Sequence, residues 1–265
     1  MMDERFIFIT ALILSGVLGL CIGSFLNVVI YRTPKKMSLA KPNSHCPNCG
    51  YELKWYDNVP VFSYLFLGGK CRSCKQKISP RYMIVEIVSA ILYVLSVLIF
   101  WNQSIVYAVV CAVMTSILIC VFFIDLEHMI ILDRFQIIIL ALGIVALFFD
   151  GFTSEVDHVI GAFAGGGVFL LLYYGALLVL GREGLGFGDV KLAFVTGLFL
   201  GWQKFLLAML IASVVACIVL IPKKFSKNYN PEKEFPFAPF ITLGVLVAML
   251  CGAFIINWYV GILAV

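Results

Sequence analysis

Long apolar segments constrain the fold of this chain more than any other feature of its sequence. Of its 265 residues, 62% are hydrophobic and only 13% are charged, about half the charged share of a typical soluble domain. A helix needs about 20 residues to cross a bilayer. Eight runs approach or exceed that length, at 6–30, 82–100, 104–124, 129–149, 159–180, 186–202, 205–221 and 237–265. The sequence therefore predicts an all-α polytopic membrane protein with about eight transmembrane helices.

Positive charge is distributed unevenly among the segments that join these runs. Eight spans place both termini on one side of the membrane, and only Arg5 and Lys204 then fall on the other side. The remaining 17 of the 19 Lys and Arg residues fall in the segments 31–81, 125–134, 181–191 and 222–236. Because Lys and Arg accumulate in cytoplasmic loops, we expect these four segments to face the cytosol.

The segment 31–81 is the only sizeable polar insert, and it is too short to be stable on an apolar core alone. It contains two Cys-x-x-Cys pairs, Cys46 with Cys49 and Cys71 with Cys74. Four thiolates suit tetrahedral zinc. Two disulfides are the alternative, but a cytosolic segment lies in a reducing compartment, so we expect structural zinc. The scattered basic residues favour anionic membrane lipid over nucleic acid as a partner.

Two aspartates lie at the ends of apolar runs, where a carboxylate is costly and therefore indicates function. Asp125 follows the run 104–124, and Asp189 ends a Gly-Phe-Gly-Asp motif that opens the run 186–202. The charge distribution places both at the cytosolic edge of the membrane. Two facing carboxylates can share a proton, so that one activates water while the other polarises a peptide carbonyl. The pair predicts an aspartyl protease; the simpler interpretation is two interfacial side chains solvated by lipid headgroups.

Four other residues are candidates for substrate binding. Gly186 and Gly188 lack side chains, which permits close approach of a substrate strand to the backbone before Asp189. Lys191 is expected to tune the acid pair or to contact substrate. Glu86 lies within the run 82–100, and we expect it either to pair with a cation such as Arg81 or to bind a cationic group of a substrate.

Several motifs in order along the chain carry a family resemblance. The chain resembles the bacterial type IV prepilin peptidases, the bifunctional leader peptidases and N-methyltransferases of type IV pili and type II secretion. The resemblance lies in residues 23–32 (GSFLNVVIYR), 44–49 (SHCPNC), 69–74 (GKCRSC), 78–86 (ISPRYMIVE), 125–128 (DLEH) and 186–191 (GFGDVK). It implies that Asp125 and Asp189 are the catalytic pair and that the four cysteines of the insert bind zinc.

The resemblance also implies a substrate, a cofactor and a location. The substrates would be prepilins and pseudopilins, cleaved after a glycine that ends a short basic cytosolic leader, and S-adenosylmethionine would then methylate the new N-terminus. The enzyme would lie in the bacterial inner membrane beside the pilus or secretion assembly machinery. Residues 1–103 would form the methyltransferase part and residues 104–265 the peptidase part. A non-enzymatic transporter or scaffold, whose two aspartates bind protons or ions, is the alternative from another class.

Overall fold

A computed structural model describes residues 4–151, 153–181, 185–224 and 235–263, and across these ranges the regular structure is helical. Arg182, Lys227 and Lys233, which belong to the predicted cytosolic segments, lie outside the described residues. A short 3₁₀ turn, Trp55–Asp57, accompanies the helices. The helices are α1 (Glu4–Arg32), α2 (Phe62–Phe66), α3 (Arg81–Phe100), α4 (Ile105–His128), α5 (Asp133–Phe149), α6 (Glu155–Leu180), α7 (Phe187–Leu200), α8 (Trp202–Lys224) and α9 (Ala238–Leu263).

Six of the helices in the described part of the chain are long and apolar enough to cross a membrane, namely α1, α3, α4, α6, α8 and α9. The predicted multi-pass helical fold is therefore confirmed. Each of the other two predicted spans also contains a helix, but α5 has 17 residues and α7 has 14. At 1.5 Å per residue α7 is about 21 Å long, less than the roughly 30 Å apolar core of a bilayer.

The glycine that follows α7 explains why this helix is shorter than the run predicted at 186–202. Gly201 has a φ of +76°, a backbone conformation that glycine adopts readily and that interrupts a right-handed helix. The next helix begins directly afterwards at Trp202. A continuous apolar run in the sequence is thus divided by one residue into the end of α7 and the start of α8.

The chain divides into two compact units, Met1–Trp101 and Asn102–Val265. In the first unit, α1 and α3 pack antiparallel and very closely. A Cβ atom at Gly19 would lie 2.6 Å from the Cα atom of Ala90, and one at Gly23 would lie 2.7 Å from the Cα atom of Glu86. Side chains at these two positions would force the helices apart, so glycine is required there. The insert between α1 and α3 belongs to the same unit.

Helix pairing in the second unit brings several helix ends together. The start of α7 lies beside the start of α5 and beside the end of α4, and the start of α9 also contacts the end of α4. We call this region, which contains Asp125 and Asp189, the aspartate end. The opposite region, which contains Asp150, His158 and Lys204, is called the lysine end.

Candidate active site and metal centre

Asp189 is the third residue of α7, and Gly186 caps the start of that helix. The N–H of Gly186 donates to the Asp189 carboxylate, and the N–H of Asp189 donates to the Gly186 carbonyl at 3.0 Å. This side-chain contact is half of a capping box, and the helix dipole favours negative charge at this position. Asp189 is only 7% exposed, and its Oδ1 atom has no hydrogen-bond partner among the described residues.

Asp125 lies in the last turn of α4 and is 5% exposed. Its carboxylate accepts a hydrogen bond from the N–H of Ala238, the first residue of α9. The helix ends immediately afterwards, because Met129 adopts a left-handed conformation with a φ of 54°. The N–H of Met129 donates to the Asp125 carbonyl at 2.9 Å. Asp125 is therefore held between the end of one helix and the start of another.

The two carboxylates are close enough for their charges to repel each other. Neither forms an ion pair with a Lys, Arg or His side chain in the described ranges. Two buried carboxylates at one site without a compensating cation are most stable when they hold a single proton between them. The structure brings Asp125 and Asp189 together at one end of the second unit, and their burial does not fit separate solvation by headgroups.

The two glycines of the motif bring the start of α7 close to its surroundings. A Cβ atom at Gly186 would lie 3.2 Å from Oδ2 of Asp189, and one at Gly188 would lie 3.3 Å from the Cβ atom of Ile131 in the connection between α4 and α5. Larger residues at these positions would displace the carboxylate or the connection. Both glycines therefore have a positional role in addition to the substrate contact expected from the sequence.

Gln136 was not expected from the sequence to belong to this site. It is buried on α5, and its Nε2 atom donates to the Gly188 carbonyl at 3.0 Å. One signal was present: Gln136 is an amide within an apolar run, three residues after Asp133 and hence on the same helix face. The Ala238 N–H was also missed, since a backbone donor leaves no mark in the amino-acid pattern.

Lys191 and Glu86 have partners other than the acid pair. The Nζ atom of Lys191 lies 2.7 Å from Oδ1 of Asp133, with both side chains largely exposed. Glu86 belongs to the first unit, where its carboxylate accepts the N–H of Val61 at 2.7 Å and the hydroxyl of Ser24. The structure thus places Lys191 at the rim of the aspartate end and uses Glu86 to attach the insert to α3, not to pair with Arg81.

The four cysteines of the insert form one cluster, with their Sγ atoms within 4.8 Å of one another. The Cys46–Cys74 and Cys49–Cys71 Sγ distances are both 3.9 Å. A disulfide has an S–S distance of about 2.05 Å, whereas sulfurs at 2.3 Å from a tetrahedral zinc ion are about 3.8 Å apart. The cluster fits a metal ion and does not fit two disulfides.

Two similar turns present these sulfurs. The N–H of Gly50 donates to the Cys46 carbonyl at 2.9 Å, and the N–H of Lys75 donates to the Cys71 carbonyl at 3.1 Å. The N–H of Gln76 is the main cause that lowers the pKa of the Cys74 thiol, to about 6. The pKa of the Cys49 thiol is raised to about 11 although the N–H of Tyr51 lowers it, because burial and hydrogen bonds with the other three thiols outweigh that donor. The cluster therefore favours thiolate, the form that binds metal, at some of its sulfurs and not at others.

An ion pair joins the second cysteine turn to the preceding 3₁₀ turn. Arg72 Nε lies 2.7 Å from Oδ1 of Asp57, whose side chain is 1% exposed. Burial alone would raise the pKa of Asp57, but hydrogen bonds from Arg72 and from the N–H of Lys54 outweigh burial and lower the pKa. The insert is therefore held by the cysteine cluster and by this ion pair.

The fold and the acid pair define a class, a multi-pass helical membrane protein in which two neighbouring carboxylates are buried and, within the described residues, form no ion pair with a cation. Comparison with family models specifies the class further. Residues 17–100 match the bacterial peptidase A24 N-terminal domain, and residues 112–221 match the type IV leader peptidase family. The chain belongs to the type IV leader peptidase family, and the resemblance found in the sequence is confirmed.

Curated relatives support the same family. Proteins named prepilin leader peptidase/N-methyltransferase from Aeromonas hydrophila and Pseudomonas aeruginosa are each 34% identical to this chain over 266 residues, covering 91% of this chain and 91% of the relative. A protein of that name from Myxococcus xanthus is 39% identical over 204 residues, covering 77% of this chain and 60% of the relative. No solved structure matches this chain.

Proposed function

We propose that this protein is a prepilin leader peptidase that cleaves the basic leader of type IV prepilins and pseudopilins by an aspartyl mechanism. The observation that carries the proposal is the acid pair: Asp125 and Asp189 are buried at one end of the second unit and close enough to repel each other. Membership of the leader peptidase family supplies the substrate class.

The reaction needs one ionised and one protonated carboxyl group. The ionised carboxylate takes a proton from water, which then attacks the peptide carbonyl, and the protonated carboxyl donates its hydrogen to the developing oxyanion. When the tetrahedral intermediate collapses, the proton removed from water passes to the leaving amine, and the carboxylate that protonated the oxyanion takes a proton back from a hydroxyl of the intermediate, which restores one ionised and one protonated carboxyl. The two carboxyls exchange a single proton, so the acid and base roles belong to the pair and not to fixed residues.

Separate Asp125→Asn and Asp189→Asn substitutions test this proposal. Each should lower the rate of leader cleavage by about 10³-fold or more, because an amide cannot act as acid or base. Asp133→Asn is the matched control, since Asp133 lies at the same end but is exposed and paired with Lys191. Cleavage is measured on a synthetic prepilin in proteoliposomes. Full activity of Asp189→Asn would reject the protease and favour a transporter or scaffold that uses the pair to bind protons or ions.

We propose that the metal of the cysteine cluster is zinc and that its role is structural. The all-thiolate ligand set and the sulfur spacing support this choice. Elemental analysis of the reduced protein should find one zinc ion per chain, which Cys46→Ser should release. Cys21→Ser is the control, because Cys21 lies in α1 outside the cluster. A reduced wild-type protein without zinc would refute this assignment.

We propose that the first unit methylates the N-terminus that cleavage creates, with S-adenosylmethionine as methyl donor. The names of the relatives support methylation, and residues 1–103 are the expected methyltransferase part. Mass spectrometry of a co-expressed pilin should show loss of the leader together with a gain of one methylene mass. A cleaved but unmethylated pilin would refute methylation alone.

We propose a bacterial inner-membrane location with the insert and the aspartate end facing the cytosol, next to pilus or secretion assembly machinery. The asymmetry of Lys and Arg supports this orientation. A membrane-impermeant thiol reagent tests it on a zinc-depleted protein. In right-side-out vesicles, Cys46 should react only after the membrane is permeabilised; reaction in sealed vesicles would reverse the proposed orientation.

A further inference from the structure

The side chain of Gln136 joins α5 to the first turn of α7 directly before Asp189. Its Nε2 atom donates to the Gly188 carbonyl at 3.0 Å, and the residue is 4% exposed. That carbonyl belongs to the peptide group that leads into Asp189. The hydrogen bond therefore holds the backbone from which the aspartate side chain extends. We propose that Gln136 is a positioning residue for Asp189; this inference rests on the proposed function.

The first turn of α7 needs an anchor of this kind. The N-cap residue Gly186 and the second residue of the helix, Gly188, are both glycines, and glycine raises the conformational freedom of a helix end. The other contacts between this turn and α5 or its connection are weaker constraints. Lys191 forms an exposed ion pair with Asp133, and Gly188 lies close enough to Ile131 that an added Cβ atom would be 3.3 Å from that side chain. The buried, directional hydrogen bond from Gln136 fixes the position along the helix axis.

The chemical type of residue 136 supports the same inference. The segment that follows it, 137–142, is entirely apolar, and an amide buried in such surroundings costs free energy unless its donors are satisfied. Gln136 supplies a donor at the one place where α7 carries a catalytic side chain. An apolar residue would fill the same space without holding the Gly188 carbonyl.

Gln136→Met tests the role, because methionine has a similar length and no donor. If Gln136 positions Asp189, kcat should fall by about 10- to 100-fold with little change in KM, since small displacements of a catalytic group are expensive. Thr196→Val is the matched control: Thr196 is fully buried on α7, the helix that carries Asp189, and donates to the Leu192 carbonyl at 2.7 Å. The control should alter stability without lowering kcat of the folded enzyme.

Gln136→Glu provides a second, pH-dependent test. A protonated glutamic acid can donate to the Gly188 carbonyl, whereas an ionised one repels it. The rate of Gln136→Glu divided by that of Gln136→Met should therefore rise as the pH falls. Both variants retain the neighbouring charged groups Asp125, Asp133, Asp189 and Lys191, so the part of the pH profile that belongs to these groups alone is common to the two rates.

The outcomes separate this inference from the function on which it rests. A wild-type protein that does not cleave prepilin would refute the proposed function. A wild-type protein that cleaves, with Gln136→Met unchanged in kcat per folded molecule, would refute positioning by Gln136 alone. A constant rate ratio of Gln136→Glu to Gln136→Met across the pH range would refute it as well. A lower unfolding temperature with unchanged kcat would assign Gln136 a purely structural role.

Discussion

The two ends of the second unit both bury aspartates, but they treat the negative charge differently. At the lysine end, Oδ2 of Asp150 accepts a hydrogen bond from Nζ of Lys204 at 2.8 Å and another from the hydroxyl of Thr153 at 2.7 Å. At the aspartate end, Asp125 and Asp189 receive backbone N–H groups and no cation in the described part of the chain. A buried carboxylate that is paired with a cation usually has a structural role, whereas a buried carboxylate without a cation indicates a functional role.

The lysine end also connects several helices through one polar cluster. Nδ1 of His158 on α6 donates to the Leu198 carbonyl of α7 at 2.8 Å, since a carbonyl can only accept. Its Nε2 atom lies 3.6 Å from Oδ2 of Asp150. Asp150 follows α5, and Lys204 belongs to α8. One polar cluster therefore ties four helices at the end of the unit opposite the aspartate end, and we expect it to stabilise the fold.

Lys204→Met should have the largest effect on stability. Lys204 is 5% exposed, and its removal leaves the carboxylate of Asp150 buried without its cation. Breaking a buried ion pair from one side costs about 3–5 kcal/mol, so the free energy of unfolding should fall by about that amount. The measurement is denaturant unfolding of the purified protein in detergent micelles.

A double substitution shows whether this loss of stability comes from burying the Asp150 carboxylate without Lys204. Asp150→Leu combined with Lys204→Met removes both charges and should recover a large part of the stability, since apolar replacement of a buried pair is often close to neutral. If Lys204→Met were as stable as the wild type, or if the double variant were no better than the single one, the structural role of the lysine end would be refuted.

The same measurement on Asp125→Asn or Asp189→Asn should give the opposite sign. Each asparagine removes the repulsion between the two carboxylates and retains an acceptor for the Ala238 or Gly186 N–H. The variants should be as stable as the wild type or up to about 2 kcal/mol more stable, although inactive, as is common at active sites. A loss of stability comparable to that of Lys204→Met would mean that the acid pair is structural.

The comparison also shows what the sequence could and could not predict. Apolar runs predicted the helices, because burial follows from residue type. The position of two acids and the spacing of four cysteines predicted which residues lie together at the aspartate end and in the cysteine cluster. The hydrogen-bond and ion-pair partners of buried residues were harder to predict from the sequence. In the sequence, Lys204 indicates only the orientation of the chain in the membrane, yet in the structure it forms a buried ion pair with Asp150. The residues near Lys204 in the sequence do not predict that its partner is an aspartate 54 residues away.

Backbone partners were the least predictable part of the aspartate end. Gln136 donates a hydrogen bond to the Gly188 carbonyl, and Asp125 accepts one from the N–H of Ala238. Such partners cannot be recognised in the sequence, because every residue has a backbone carbonyl and every residue except proline has a backbone N–H. The sequence pattern reports which residues are polar and roughly how deep they lie. Which helix end each polar group faces depends on helix packing, and that follows from close contacts such as the one between Gly161 and Gly197.

Lys191→Met should have the smallest effect and sharpen the comparison at the aspartate end itself. Lys191 is the nearest cation along the chain to Asp189, but it pairs with Asp133 and both side chains are exposed. Exposed pairs contribute about 0–1 kcal/mol, so the unfolding free energy should change by no more than that and leader cleavage should fall less than about 10-fold. Added salt should erase the stability difference, because it screens exposed charges. A loss of cleavage as large as that of Asp189→Asn would show instead that Lys191 acts directly on the acid pair, and the aspartate end would then resemble the lysine end in carrying its own cation.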